Sequence, residues 1–276
     1  MKLPPTTAPP WIRNMPRPGL IAMIHVAALP GTPRSRDPVE KIARAAADEA
    51  RLLHDAGADA IIIENMHDLP YLRRRVGPEI VAGMAAVATA VRAATARPLG
   101  VQILAGANRA ALAVAHATGC QFIRAENFVY AHVADEGLMT EADAGPLLRF
   151  RRRIGAEHIA LFADVKKKHS AHALTADVDL AETAAAAEFA GADGVIVTGA
   201  ATGRPARSED VRAVRQRVAT LVLVGSGTTP ENVTELAPHT DTFIVGSYLK
   251  RDGLWSNPPD KRRVAEMVRA IAAARR

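Results

Sequence analysis

Eight short apolar runs, each ending in a polar residue or glycine, alternate with alanine-rich stretches of helical period along the 276 residues, and this alternation restricts the fold more than any other feature. The runs are Leu20 to His25, Ala60 to Glu64, Leu99 to Ile103, Phe122 to Glu126, Ile159 to Asp164, Gly194 to Thr198, Leu221 to Gly225 and Thr242 to Gly246. Their nearly continuous Ile, Val and Leu character suits strands covered on both faces, as parallel strands are. The intervening helices are predicted over 38–55, 78–95, 109–118, 142–154, 177–190, 208–217, 230–236 and 260–274. Two helix exits are nearly identical, Asp55-Ala56-Gly57-Ala58-Asp59 and Phe189-Ala190-Gly191-Ala192-Asp193, with glycine at the helix end and a strand directly after. Eight such units form either an open doubly wound sheet or a closed barrel. Closure is favoured, because no G-x-G-x-x-G follows the first run and the glycine-rich loops fall in units seven and eight. The fold class is therefore α/β, a single (β/α)8 TIM barrel over 20–276. A proline-rich lead-in over 1–19 runs across the surface or against the bottom of the fold.

Composition narrows the function classes. With 49% hydrophobic but only 4% aromatic residues, the core is built from many small aliphatic contacts. The single cysteine, Cys120, excludes an internal disulfide and a cysteine-based zinc site; it lies just before the fourth run and reads as an inert buried thiol. Prolines at 4, 5, 9 and 10 break the apolar run that a signal peptide needs, and no integral membrane segment is predicted, so the expected compartment is the cytoplasm. The net charge of +6 sits in Arg and Lys runs without interleaved aromatics, which points to solvated faces and not to nucleic acid. A homo-oligomer stays open.

In a barrel, chemistry gathers at the carboxyl ends of strands. The strongest local signal is Val224-Gly225-Ser226-Gly227-Thr228-Thr229-Pro230, followed twenty residues on by Val245-Gly246-Ser247. Glycines let backbone N–H groups approach an anion closely, and the helix starting near Pro230 aims its positive end at the same place. Gly225, Ser226, Gly227, Gly246 and Ser247 are thus the candidate phosphate-binding residues, and the expected partner is a small phosphorylated ligand. Asp164-Val165-Lys166-Lys167-Lys168-His169 leaves the fifth run; by strand parity Asp164 and Lys166 both face the mouth. His25, Glu64-Asn65 and Arg124-Ala125-Glu126 end three other runs, where buried charge is costly unless a ligand or partner satisfies it. The candidate catalytic residues are Asp164, Glu64, His25, His169, Lys168 and Lys166, and the candidate substrate contacts are Asn65, Arg124, Glu126 and Thr198. Asp164 ranks as the least replaceable, held ionised by Lys168 and His169, so Asp164→Asn is expected to lower turnover without changing the melting temperature. No cofactor is required by any motif. A divalent metal held by Asp164, Glu64 and His25 is one alternative. Thr198-Gly199-Ala200-Ala201-Thr202-Gly203 is long enough for a lid.

At these positions the chain resembles the BtpA/SgcQ family. The resemblance is carried by Met23-Ile24-His25-Val26-Ala27-Ala28-Leu29-Pro30-Gly31-Thr32-Pro33, Glu64-Asn65, Asp164 through Ser170, Val197 through Gly203, Leu223 through Val233 and Phe243-Ile244-Val245-Gly246-Ser247-Tyr248-Leu249-Lys250 with Asp252-Gly253. It implies a phosphate-binding barrel. One branch of that family is named for photosystem I biogenesis at thylakoid membranes, and another sits among sugar phosphotransfer and sugar-metabolic functions. Arg124 through Tyr130 is more acidic and less aliphatic than the family pattern, and Asn65-Met66-His67-Asp68-Leu69-Pro70 departs from Asn-Phe-Gly-Asp-x-Pro. Both departures fall at the mouth, where substrate would be chosen. The sequence therefore reads as an enzyme acting on a phosphorylated sugar or related metabolite, by isomerisation, epimerisation, aldol cleavage or hydrolysis. A Schiff-base version would use Lys166 or Lys168. The alternatives are a non-catalytic assembly factor and a phospho-ligand sensor.

Overall fold

The computed structural model describes residues 9–199 and 205–275. Its eight parallel strands, Gly19–His25, Ala60–Glu64, Leu99–Gln102, Phe122–Ala125, Ala160–Val165, Gly194–Thr198, Leu221–Gly225 and Thr242–Val245, form a closed barrel. The first strand closes the ring by pairing with both the second and the eighth. A parallel strand buried on both sides needs apolar residues at every position, which explains the continuous runs. Ile21, Met23, Ile62, Phe122, Phe162, Ile196, Leu223 and Ile244 meet inside the barrel. Their alternates, such as Leu20, Ala22, Ile61, Ile63 and Leu161, pack outward against the helices.

The bottom is plugged. Residues 10–13 form a short helix whose Trp11 stacks on Phe122 at 5.2 Å between ring centroids, with Phe162 a further 5.4 Å from Phe122. Gly100 is required here, since a Cβ at that position would lie 2.1 Å from the Phe122 ring.

A hydrogen-bonded device repeats around the bottom rim in every second unit. Amides in the first two positions of strands one, three, five and seven, at Leu20, Leu99, Leu161 and Val222, donate to the side chains of Asp59, Gln121, Asp193 and Asp241 at 2.7–2.9 Å. Each acceptor stands at the start of the neighbouring strand and is held by an arginine near a helix end: Arg275, Arg92, Arg151 and Arg215, in the same order. The same arginines reach turn carbonyls, such as Arg97, Glu157, Val218 and Pro18. Asp59 and Asp193 are the last residues of the two repeated helix exits, so the repeat encodes a strand staple as well as a glycine turn.

The mouth is irregular by contrast. Among the described residues, seven non-glycine positions have positive φ (Arg74, Asn127, Tyr130, Lys166, His169, Ser226 and Asp252), and all seven lie in loops that follow strands. Two of those loops also build a small antiparallel sheet from His132–Ala134, Gly137–Met139 and Ser170–Ala171. It was not visible as a sequence pattern, because two- and three-residue strands carry no periodicity.

The staple predicts a stability effect. Asp193→Ala leaves the Leu161 amide without its acceptor and Arg151 without its carboxylate, which should cost roughly 2–4 kcal/mol. It should appear as a lower urea midpoint with an unchanged slope. Arg152→Ala, which removes only an exposed pair with Glu157, should leave the midpoint where it is.

Candidate active site

The last inward position of each strand lies two residues beyond the barrel core, and in these places side-chain chemistry changes. Met23 is followed inward by His25, Ile62 by Glu64, Gly100 by Gln102, Phe122 by Arg124, Phe162 by Asp164, Ile196 by Thr198, and Leu223 by Gly225. Glu64, Gln102, Arg124 and Asp164 are all buried.

Arg124 and Asp164 form a bidentate pair, with Nε and Nη2 donating to the carboxylate at 3.0–3.2 Å. Burial pushes the Asp164 carboxyl up, and Arg124 works against that shift. The expectation that Lys168 and His169 hold Asp164 ionised is therefore corrected: the partner is Arg124, and His169 is exposed in the loop. Lys166 also departs from its predicted inward position. The strand ends at Val165, Lys166 takes φ 46°, and its Nζ donates to the Thr175 carbonyl at 3.1 Å. The inward lysine of that run is Lys167, buried between Glu126 at 3.3 Å and Glu136 at 3.7 Å.

A cleft of about 160 Å³ opens beside this layer. Roughly ten times the space one water needs, it has room for a small ester. His25, Glu64, Arg124 and Lys168 line it together with Ser226, Gly227, Gly246 and Ser247. Ser226 and Gly227 are consecutive residues at φ 73° and 64°, a conformation of the kind stored at functional sites. Gly246 cannot carry a side chain, since a Cβ there would sit 2.9 Å from His25 Nε2. Gly225 does not line the cleft, but a Cβ there would come within 3.2 Å of Ile196 and 3.9 Å of Arg124. The helix after strand seven spans Pro230–Leu236 and closes its own first turn through a capping box of Thr229 and Asn232. The backbone of the two glycine loops therefore replaces the helix terminus as the candidate anion contact.

His25 Nδ1 lies 2.8 Å from the Trp255 carbonyl, so Nδ1 carries the proton and Nε2 is left as an acceptor, 3.8 Å from Glu64 Oε2. Burial, with Lys250 second, pulls the His25 pKa down to about 3. Burial lifts Glu64 above the usual carboxylate range, and burial followed by the charge of Arg124 lowers Lys168. A carboxyl whose proton affinity is raised and an ammonium whose proton affinity is lowered, in one cleft, are the kind of divergence found at acid–base sites.

Other candidates fall elsewhere. Asn65 braces the loop behind Glu64, donating to Asp68 and accepting from the Leu104 amide. Glu126 is spent on Lys167 and is not in the cleft wall. The Thr198 hydroxyl is buried without a partner among the described residues; residues 200–203 of the suggested lid lie outside the described residues. Among those residues no three His, Cys, Asp or Glu side chains are grouped to hold a metal. Asp164, Glu64 and His25 are accordingly not one ligand set, since Asp164 is committed to Arg124. Cys120 is buried and its thiol is pushed up to about 11 by that burial. Arg263, from the last helix, lines the cleft and stacks 4.2 Å from the Tyr248 ring centroid. No local sequence signal marked it, because a helix-borne arginine looks like any solvated one. No helix among the described residues is long and apolar enough to cross a membrane.

Fold and cleft together define a (β/α)8-barrel protein with its titratable residues collected at the carboxyl-terminal mouth. More particularly, the chain belongs to the BtpA family, which its residues 17–273 match. It is 46% identical to an uncharacterised mitochondrial protein of Caenorhabditis elegans, over 95% of this chain and 96% of the other. It is 33% identical to the photosystem I biogenesis protein BtpA of Synechocystis, over 92% and 88%. Among solved structures it resembles (S)-3-O-geranylgeranylglyceryl phosphate synthase of Thermoplasma acidophilum in complex with sn-glycerol-1-phosphate, with TM-score 0.59, 19% identity and 94% of each chain covered. N-(5'-phosphoribosyl)anthranilate isomerase of Pyrococcus furiosus matches with TM-score 0.54 and 13% identity over 93% of this chain and 99% of that one. These likenesses establish the barrel.

Two outcomes follow. Asp164→Asn should lower stability by about 3–5 kcal/mol, because it strands the buried Arg124 charge; an unchanged thermal midpoint would contradict the pairing. The His25 imidazole resonances should stay flat from about pH 5 to about pH 8, with Nδ1 protonated, since its charged form appears only near pH 3.

Proposed function

We propose that this protein is an enzyme that holds a small phosphorylated metabolite at the barrel mouth, with the phosphate on the loops after strands seven and eight. The observation that carries this reading is that one cleft joins the Ser226-Gly227 and Gly246-Ser247 loops to His25, Glu64 and Lys168. Its wall carries the guanidinium of Arg263 together with the backbone of the two glycine loops, which favours an anionic ligand. Pairs of glycine loops at the seventh and eighth strands are where barrels bind phosphate. Enzymes of phosphorylated substrates among the fold neighbours agree with this. Glu64 and Lys168, with shifted proton affinities, supply groups for proton transfer, so the reading is catalytic and not only a sensor.

A role as an assembly factor, after the name of the Synechocystis relative, makes the opposite prediction about the cleft. A thermal-shift series with inorganic phosphate and with phosphorylated three- to six-carbon sugars separates them. A ligand at about a hundred times its Kd should stabilise the fold by about 2.7 kcal/mol. Gly227→Asp puts a carboxylate where the anion sits and should abolish the shift while the unliganded protein stays folded. Equal shifts in variant and parent would remove the phosphate from these loops.

A further inference from the structure

Resting on that reading, we propose that Lys168 is the nucleophile of this site, forming a Schiff base with the carbonyl of a phosphorylated aldehyde or ketone, with Glu64 as the acid that releases water. The substrate class thereby narrows from phosphate esters in general to those bearing a free carbonyl.

The first ground is how the lysines around the mouth are disposed. Lys166 is hydrogen-bonded to the Thr175 carbonyl, Lys167 is enclosed by Glu126 and Glu136, and Lys250 is buried against Glu49 on the first helix of the barrel. Lys168 alone of these lines the cleft, and among the described residues it takes part in no salt bridge within 4.0 Å. A lysine kept for structure is normally paired when it is this enclosed. One facing a ligand cleft unpaired is held for something that arrives.

The second ground is the backbone that puts it there. Lys166 at φ 46° and His169 at φ 55° bracket the pair Lys167-Lys168. These two left-handed residues break the strand alternation, so that Lys167 enters the Glu126–Glu136 chamber and its neighbour reaches the cleft. Two non-glycine residues in this region within four positions cost conformational energy, which structures retain mainly where a site depends on it.

The third ground is the company Lys168 keeps. Burial and the nearby Arg124 disfavour its ammonium form, as a nucleophilic amine requires. Of the carboxylates that act the other way, Asp164 is tied to Arg124 and Glu126 to Lys167. Glu64 is the remaining one, in the same cleft, and burial raises its proton affinity. In the proposed step the Lys168 amine adds to the carbonyl carbon. One amine proton moves to the new oxygen, giving a neutral carbinolamine. Glu64 then gives its proton to that hydroxyl, the C–O bond breaks, water leaves, and the nitrogen lone pair forms the C=N bond. The products are a protonated imine, water and the Glu64 carboxylate, so atoms and charge balance. His25 Nε2 lies 3.8 Å from Glu64 Oε2 and stays neutral, so it adds no positive charge that would oppose the protonated form of Glu64. The imine then draws electrons from a neighbouring C–H or C–C bond, which is the chemistry of aldol cleavage and of epimerisation beside a carbonyl.

The test uses the full chain with glycolaldehyde phosphate and dihydroxyacetone phosphate in the presence of cyanoborohydride, read by intact mass and peptide mapping. The expected result is one reduced adduct per chain on Lys168. It should be lost in Lys168→Met, retained in Lys166→Met, and formed more slowly with unphosphorylated glycolaldehyde. An adduct spread over surface lysines, or none with either phosphorylated probe, overturns the proposal. Thermal shift by inorganic phosphate is measured on the same samples, including Lys168→Met to verify that it folds. Stabilisation by phosphate without a Lys168 adduct would overturn the Schiff base alone, whereas neither phosphate stabilisation nor adduct would overturn the phosphate reading with it.

Discussion

Closing eight parallel strands into a ring leaves every second side chain pointing at one axis, and the rest of this molecule is arranged around what that axis can hold. Deep in the ring the inward positions are aliphatic or phenylalanine, packed against a tryptophan that enters from below. One step higher, the same positions become His25, Glu64, Gln102, Arg124 and Asp164. Charge placed there cannot turn away to solvent without breaking strand alternation, so it must be paired or used. Arg124 and Asp164 are paired, and the pairing makes Asp164 a support for the site more than a freestanding base. Glu64 and His25 stand 3.8 Å apart with the cleft in front of them.

The two ends of the barrel divide the work. At the bottom, short turns, left-handed glycines such as Gly57 and Gly191, and four side-chain acceptors with their arginines repeat with a period of two units. That regularity satisfies buried amides locally, and it makes the lower rim indifferent to what happens above it. At the mouth, the seven non-glycine residues of positive φ record local conformations that the chain would not choose by itself. Lys250 buried against Glu49 ties the last mouth loop to the first helix, giving a strained loop a fixed anchor. Strain concentrated where stability is not being generated is the arrangement expected if the upper loops were shaped by a ligand.

The legible part of the sequence was the part governed by period. Strand and helix limits followed from apolar runs and glycine exits, because a strand covered on both faces has no other composition open to it. Glu64, His25 and Arg124 were found by the same logic, as polar ends of apolar runs. Parity failed at the three consecutive lysines. There the identities are equal, and only the left-handed turn at Lys166 decides which one points inward. Asn65 and Glu126 stand outside the cleft wall for a related reason: each is the polar residue beyond a strand end, but the loop bends it into a brace with Asp68 or Lys167. Arg263, the Lys250–Glu49 pair and the small sheet come from contacts distant along the chain, on which local pattern is silent.

The charges around the cleft pose a difficulty for any Schiff-base reading, since a phosphate close to Lys168 would stabilise the ammonium form and oppose nucleophilic attack. The placement of the cations answers it. Arg263 donates to the Tyr248 carbonyl and stacks on that ring, which puts its charge beside the loop after strand eight. Lys168 has Arg124 and Glu64 as its strongest electrostatic neighbours, and Arg263 is not among the charges that act on it. A phosphate seated on the two glycine loops would thus find its counter-charge in Arg263 and the backbone. The far end of the same small molecule would meet an amine whose ammonium form burial and Arg124 disfavour. Separating the charge that binds from the amine that reacts is what allows one cleft to serve an anionic substrate and an amine nucleophile together.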